Sequence, residues 1–206
     1  MGGYRIFLRQ GVELDNGLEP ALEFLEAYPS TVADEASPPW SFSEDDLRRA
    51  NRGGARISAA EIAAVLERRD EIEGSLHRIR PDASLAGAAR SIPWSALTGL
   101  FQAFSDLRGI GLAKLTKTLH PKRPALIPML DSVVQAYLTE NDPNLDVPES
   151  FGERATALVR VYKGDLDLNR APLRELRREL AARGYELSEV RILDLLIRSA
   201  FADRAT

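Results

Sequence analysis

Helix boundary signals recur along this chain of 206 residues, and they constrain its fold more than any other feature. Ser43 and Ser58 each stand three residues before an acidic residue, which is the spacing of an N-terminal capping box. Pro93 favours the first turn of another helix, because a proline lacks the N–H group that a first turn leaves unpaired. Gly164 and Gly184 are predicted to end two later helices.

The remaining segments also favour helices over strands. Residues 18–28 are predicted to form a short helix, and only residues 4–8 could form a strand. Residues 190–197 are apolar nearly all round, so we expect their helix to be buried. A length of 206 residues fits one compact domain or two small lobes that share a core. We therefore predict a single all-helical, bilobal domain over residues 1–206.

Composition narrows the chemistry that such a domain can perform. The chain has no cysteine, which excludes disulfides, thiolate zinc sites, iron–sulfur clusters and cysteine nucleophiles. Its two histidines are too few for an all-histidine metal site. No apolar run is long enough to cross a bilayer, and the first residues lack the apolar segment of a secretory signal. We therefore expect a cytoplasmic protein.

Charge is unevenly distributed along the chain. The net charge of −4 argues against a protein whose whole surface binds nucleic acid. No acidic residue occurs between Asp106 and Asp131. The same stretch carries five cations, namely Arg108, Lys114, Lys117, Lys122 and Arg123. They predict a local basic face that contacts phosphates, and a solvated helix face is the alternative.

Two glycines in this stretch predict a tight turn between helices. Gly109 and Gly111 flank Ile110, and glycine accepts the positive φ that a tight reversal requires. We expect Ile110 to pack between the helices while backbone N–H groups of the turn face outward and bind a phosphate. Lys114 and Lys117 would then reach neighbouring phosphates. A glycine turn that serves only helix packing is the alternative.

The turn and a second segment, residues 124–134, together resemble the helix-hairpin-helix DNA glycosylase superfamily. Its members couple a Leu-Pro-Gly-hydrophobic-Gly hairpin to a Pro-Val-x-Asp-x-x-Val segment that contains the catalytic aspartate. Here Asp131 follows Gly111 by 20 residues, as in that arrangement. The resemblance covers residues 107–138. Within them, residues 122–132 resemble a smaller, poorly characterised bacterial branch without an iron–sulfur cluster.

This resemblance implies a fold in which residues 92–140 carry the hairpin and the start of the helix with Asp131. It implies DNA as the partner, and Asp131 as the carboxylate that stabilises positive charge on the sugar during N-glycosidic cleavage. Ala113 stands where bifunctional members carry a Schiff-base lysine. We therefore expect a monofunctional glycosylase, without lyase activity, that acts on a damaged or modified base. The resemblance implies no organic cofactor, and a monovalent cation at the hairpin.

Departures from the family pattern leave other interpretations open. Arg108 replaces the hairpin proline, and Gln135 and Ala136 replace basic residues that often follow the aspartate. Asp131 is also an ordinary helix N-cap. One alternative is a non-catalytic nucleic-acid-binding or regulatory module on the same fold. Another is a protein–protein interaction domain whose basic stretch binds an acidic partner.

Aromatic side chains near the hairpin are candidates for the walls of a pocket that holds a flipped base. They are Trp94, Phe101, Phe104 and Tyr137. The first three share one face of a predicted helix, so burial in the core is the alternative.

Overall fold

The computed structural model describes residues 4–28, 37–140 and 150–201. Within these ranges the chain forms ten α-helices and one short sheet. In chain order the elements are β1 (Ile6–Phe7), β2 (Glu13–Leu14), α1 (Leu18–Ala27), α2 (Glu44–Arg52), α3 (Ala59–Glu67), α4 (Arg69–Leu76), α5 (Trp94–Gln102), α6 (Leu112–Leu119), α7 (Ser132–Thr139), α8 (Phe151–Leu168), α9 (Arg170–Ala182) and α10 (Glu189–Phe201). Short 3₁₀ helices form at Arg9–Gly11, Ala89–Ser91 and His120–Lys122. The mostly helical prediction is confirmed.

Helix starts follow the capping signals in the sequence. At α3, the Ser58 hydroxyl accepts the N–H of Glu61 at 3.3 Å, and the Glu61 carboxylate accepts the N–H of Ser58 at 2.7 Å. At α7, the carboxylate of Asp131 accepts the N–H of Val134 at 3.1 Å. A cap of this kind is worth about 1 kcal/mol, because it pairs an N–H group that the first turn leaves without a partner.

Helix α8 is longer than the sequence predicts. A stop is expected at Gly164, but the helix continues to Leu168. Tyr162 and Leu166 lie on either side of the glycine, and both are buried. Their burial outweighs a glycine penalty of about 1 kcal/mol. Pro148 and Glu149, which the sequence places just before this helix, lie outside the described residues.

The short sheet corrects the prediction of an entirely helical chain. Strands β1 and β2 are antiparallel, with Ile6 opposite Leu14. The sequence predicts only the first strand, since a two-residue strand is too short to show alternation. The side chain of Asn169, at the junction of α8 and α9, forms hydrogen bonds with the backbone of this sheet. Its amide accepts the N–H of Phe7 at 2.7 Å and donates to the carbonyl of Phe7 at 2.8 Å.

The buried apolar side chains form one continuous cluster. Helix α5 packs on α8, α2 packs on α6, and α10 packs on α1, α7 and α9. The predicted burial of α10 is confirmed, since Ile192, Leu193 and Leu196 are fully buried. A division into two lobes stays a prediction. None of the described helices combines the length and the apolar character that a membrane span requires.

Candidate functional site

The predicted glycine turn lies between α5 and α6. Gly109 has a φ of +85°, which side-chain-bearing residues rarely adopt, so the turn requires a glycine there. Gly111 is extended, with a φ of −90°, and stands as the N-cap of α6. Ile110 is buried in the core, in agreement with the prediction. Its N–H donates to the carbonyl of Leu107 at 3.0 Å, so this N–H is used within the turn rather than facing outward.

The start of α6 is open. A Cβ atom added at Gly111 would meet no atom within 4 Å. The N–H groups of Leu112 and Ala113 find no acceptor in the part of the chain that the structure describes. First-turn N–H groups of this kind carry the positive end of the helix dipole. The start of α6 therefore remains accessible to an anion.

Lys114, a predicted phosphate contact, forms an ion pair with the carboxylate of Glu61. Its Nζ donates to both carboxylate oxygens of Glu61, at 2.7 and 2.9 Å. The two side chains are 22% and 16% exposed. The hydrogen bonds from Lys114 hold the pKa of the Glu61 carboxyl below its ordinary value. Sequence reasoning identified Glu61 only as a capping residue, since nothing in its local pattern indicates a partner on α6.

Lys122 lies inside the protein. Its side chain is 0% exposed and its ammonium pairs with Asp46 at 2.8 Å. The same ammonium donates to the carbonyls of Ser41 at 2.6 Å and Pro38 at 3.0 Å. The prediction that Lys122 contacts a phosphate disagrees with this burial. The physical reason is that its three donors already meet three oxygen acceptors within the fold.

Arg123 is likewise structural. It is fully buried, and its guanidinium donates to four backbone carbonyls. These belong to Ile79 at 2.7 Å, Leu76 and Pro39 at 2.9 Å, and Lys122 at 2.7 Å. Arginine cannot lose its proton in a protein, so this buried charge is tolerated only because carbonyl oxygens surround it. The prediction that Arg123 contacts a phosphate is therefore corrected.

Asp131 caps α7 and forms an ion pair with α10. One of its oxygens accepts the N–H of Val134, and the other lies 2.8 Å from Nη2 of Arg198. The side chains of Asp131 and Arg198 are 15% and 17% exposed. Within the described residues, neither Nε nor Nη2 of Arg198 makes a well-aligned hydrogen bond, although both atoms are buried. Charge attraction rather than hydrogen-bond geometry holds this pair.

Lys117 brings further positive charge to Asp131. Its Nζ donates to the carbonyl of Gly53 at 3.2 Å. Partial burial lowers the pKa of Lys117, and the positive charges of Arg198, Arg191 and Arg56 lower it further, while Asp131 opposes them.

A second carboxylate, that of Asp194, lies deeper in the protein and near Arg191 and Arg198. Asp194 is fully buried and accepts the N–H of Met129 at 3.0 Å. Burial raises the pKa of Asp194, and the charges of Arg191 and Arg198 oppose that rise. We call the following set the Asp131 cluster: Arg56, Lys117, Asp131, Arg191, Asp194 and Arg198. Its four cations face two carboxylates, so the cluster carries an excess of positive charge.

Sequence reasoning missed three charged residues on one face of α10. Arg191, Asp194 and Arg198 stand at spacings of three and four in a helix whose other charged residue is Glu189, at its first position. This spacing places them on one helix face. Three charges on one face of a buried helix are a signal that the sequence contained, because buried charges require partners.

The four aromatic residues that the sequence suggested as walls of a base pocket are buried in the core or covered by another side chain. Phe101, Phe104 and Tyr137 are buried in the core, so these three do not form the walls of a base pocket in this structure. Half-buried Trp94 is covered by the guanidinium of Arg160, 4.1 Å from the ring centre. The core alternative therefore holds for the buried aromatic side chains.

Arg108, a predicted phosphate contact, and His120, a histidine of the same acid-free stretch, have different positions. Arg108 is exposed at the turn, where it is available to a partner. His120 is buried, with its Nδ1 atom 2.6 Å from the carbonyl oxygen of Ile127. His120 therefore has a structural contact, whereas Arg108 remains a surface candidate.

The described residues contain no group of three or more histidine or carboxylate side chains arranged to hold an ion. A monovalent cation at the hairpin is not tested by this. The ammonium of Lys114 neutralises the carboxylate of Glu61 beside the turn. A monovalent cation at the hairpin therefore stays a prediction.

Comparison with known proteins identifies one family. A family of unknown function (DUF6308) matches residues 29–200. The chain belongs to this family. No curated protein and no solved structure matches it. Membership in DUF6308 assigns no activity and does not link the chain to the helix-hairpin-helix glycosylases, so that resemblance stays an expectation.

Proposed function

We propose that this protein binds nucleic acid through the face formed by the glycine turn and the Asp131 cluster. The observation that carries the proposal is the excess of cations around Asp131. Two of these cations are accessible to a phosphate, since Arg56 is exposed and Lys117 is partly exposed, whereas Nε and Nη2 of Arg198 are buried. A guanidinium binds a phosphate through paired, charge-assisted hydrogen bonds, which are among the strongest that proteins make.

The turn and the cluster are close enough to contact one nucleic-acid strand. Lys117 lies six residues after Gly111 on α6. At a rise of 1.5 Å per residue, this places it about 9 Å along the helix from the open start of α6. Successive phosphates of one strand are about 3.4 Å apart along the axis of a duplex, so a strand that follows α6 over this length presents several phosphates to its N-terminal end and to Lys117.

Hydrolysis of an N-glycosidic bond is a second candidate, and it depends on Asp131. The carboxylate is partly exposed and follows the turn at the spacing of the glycosylases. In this structure, however, Val134 and Arg198 engage its two oxygens. Arg198 would have to leave Asp131 before the carboxylate could stabilise positive charge on a sugar. The contacts therefore support nucleic-acid binding without catalysis more strongly than hydrolysis.

A charge variant with a matched control tests the binding function. In Lys117→Ala, we expect the affinity for a short labelled duplex to fall about tenfold and the salt slope to fall by about one. Arg178→Ala removes one exposed cation from α9, which packs on α8 and α10, and we expect it to change affinity less than twofold. Fluorescence anisotropy over a series of salt concentrations measures both.

Three outcomes would contradict the proposal. Absence of binding to duplex and single strand at low salt would exclude nucleic acid as the partner. An equal loss in Lys117→Ala and Arg178→Ala would show general charge attraction instead of a site. Tighter binding to polyglutamate than to DNA would favour the protein–protein alternative, whose partner is an acidic polypeptide.

A further inference from the structure

We infer that the carboxylate of Glu61 lies against the glycine turn as an internal competitor for phosphate, holding Lys114 until a nucleic-acid phosphate displaces it. This inference rests on the proposed function, because it assigns an internal competitor to the same face. It goes beyond that function by making Glu61, a residue of α3, a determinant of affinity.

The contacts of Glu61 are those of a bound anion. Both carboxylate oxygens accept from Nζ of Lys114, at 2.7 and 2.9 Å. One of them also accepts the backbone N–H of Ser58 at 2.7 Å. The Ser58 bond belongs to the cap of α3, whereas the ammonium of Lys114 is a donor of the kind that commonly binds phosphate oxygens in proteins. Glu61 therefore already engages Lys114 with oxygens from within the chain, while the N–H groups at the start of α6 stay open.

The turn itself is shaped around this carboxylate. A Cβ atom on Gly109 would lie 2.0 Å from Oε1 of Glu61. The carboxylate thus lies directly against the backbone of the turn, in space that any other residue at position 109 would fill. The close approach at Gly109 and the ion pair with Lys114 are separate observations, and both place negative charge on the turn.

Displacement of Glu61 is physically reasonable because the pair is only partly buried. The side chains of Lys114 and Glu61 are 22% and 16% exposed, so solvent and salt weaken their attraction. A phosphate in a polyanion can therefore exchange with the carboxylate. Until it does, Glu61 both neutralises Lys114 and repels the backbone of an approaching strand.

A charge-removing variant that preserves the helix cap tests the inference. In Glu61→Gln, the amide oxygen can still accept the N–H of Ser58, since glutamine serves in a capping box. We expect affinity for the duplex to rise about fivefold, and the salt slope to steepen by about one as Lys114 becomes available. Glu67→Gln removes the same charge from the exposed end of α3, and we expect less than a twofold change.

A double variant and a second probe separate this inference from the proposed function. Lys114→Ala in the Glu61→Gln background should cancel the gain in affinity. In an NMR titration with inorganic phosphate, the amide signals of Gly109 and Gly111 should shift more in Glu61→Gln than in the unaltered protein. If neither protein binds DNA but phosphate shifts these signals in the variant, the proposed function fails, and what holds of the inference is that Glu61 competes with a phosphate at the turn.

Two results would overturn the inference and leave the proposed function standing. The first is equal DNA affinity and equal salt slope for the unaltered protein and Glu61→Gln. The second is a lower melting temperature in Glu61→Gln without any gain in affinity, since the pair would then serve only the packing of α3 against α6.

Discussion

Two lysines of the same acid-free segment have opposite surroundings. Lys122 is fully buried and meets two carbonyls and a carboxylate. Lys117, five residues earlier, is half-buried, donates to the carbonyl of Gly53 and lies near three arginines. A cation whose donors are satisfied within the fold contributes to stability, whereas one surrounded by like charge gains from an external anion. Positive charge in a sequence therefore does not by itself indicate a binding residue.

The largest effect is expected on the stability of the fold when Arg123, whose donors are all used within the protein, is replaced. Arg123→Ala leaves the buried carbonyls of Ile79, Leu76 and Pro39 without their donors. We expect the free energy of unfolding to fall by about 4 kcal/mol, because charge-assisted hydrogen bonds and unpaired buried carbonyls each account for about 1–3 kcal/mol. Urea unfolding measures this loss.

Lys117→Ala is the matched comparison for that measurement. It removes a half-buried cation that donates to one carbonyl, that of Gly53, instead of four. We expect it to change the free energy of unfolding by less than about 1 kcal/mol. Equal losses for Arg123→Ala and Lys117→Ala would break the contrast between a structural and an available cation.

An intermediate effect, on DNA affinity, is expected when the pH is raised. The pKa of Lys117 is lowered from 10.5, first by partial burial and then by Arg198, Arg191 and Arg56, with Asp131 opposing. DNA affinity should therefore fall as pH rises through this lowered pKa, by up to about tenfold when the lysine charge is lost. Stability should move the opposite way. Because the folded state disfavours the charged form, the penalty present below the lowered pKa is relieved as pH rises from it towards 10.5.

Lys117→Arg is the control for this pH dependence, because arginine remains charged throughout the range. Anisotropy titrations from neutral pH to about pH 10 should show a decline for the unaltered protein and a nearly constant affinity for the variant. An identical decline in both proteins would assign the titration to another group.

The smallest effect on binding is expected at Asp131. In Asp131→Asn the helix cap is retained, because asparagine caps a helix about as well as aspartate. The free energy of unfolding should nevertheless fall by about 1–3 kcal/mol, because the largely buried Arg198 loses the carboxylate opposite it. DNA affinity should rise about threefold, since one negative charge leaves the Asp131 cluster. If Asp131 is catalytic, base release from a damaged duplex should also fall by orders of magnitude.

Melting temperature, affinity and base release should be measured on the same Asp131→Asn protein. Full base release would exclude catalysis by this carboxylate. A large loss of stability without measurable base release by the unaltered protein would assign Asp131 a structural role only.

Much of the local structure is predictable because its causes are local. Ser58 and Asp131 cap α3 and α7 through side chains three residues from their partners. The turn at Gly109 follows from the conformational freedom of glycine. The length of α8 is not predictable in this way, since buried neighbours carry the helix past Gly164.

The sequence by itself determined the mostly helical architecture, the turn between α5 and α6, and the cap at Asp131. Only the tertiary structure decided which cations are buried and which are available, and it paired Lys114 with Glu61 and Asp131 with Arg198. The partners in these pairs are separated by 53 and 67 residues in the chain. Capping and turn formation depend on neighbours along the chain, whereas the environment of a charge depends on whatever the fold places beside it.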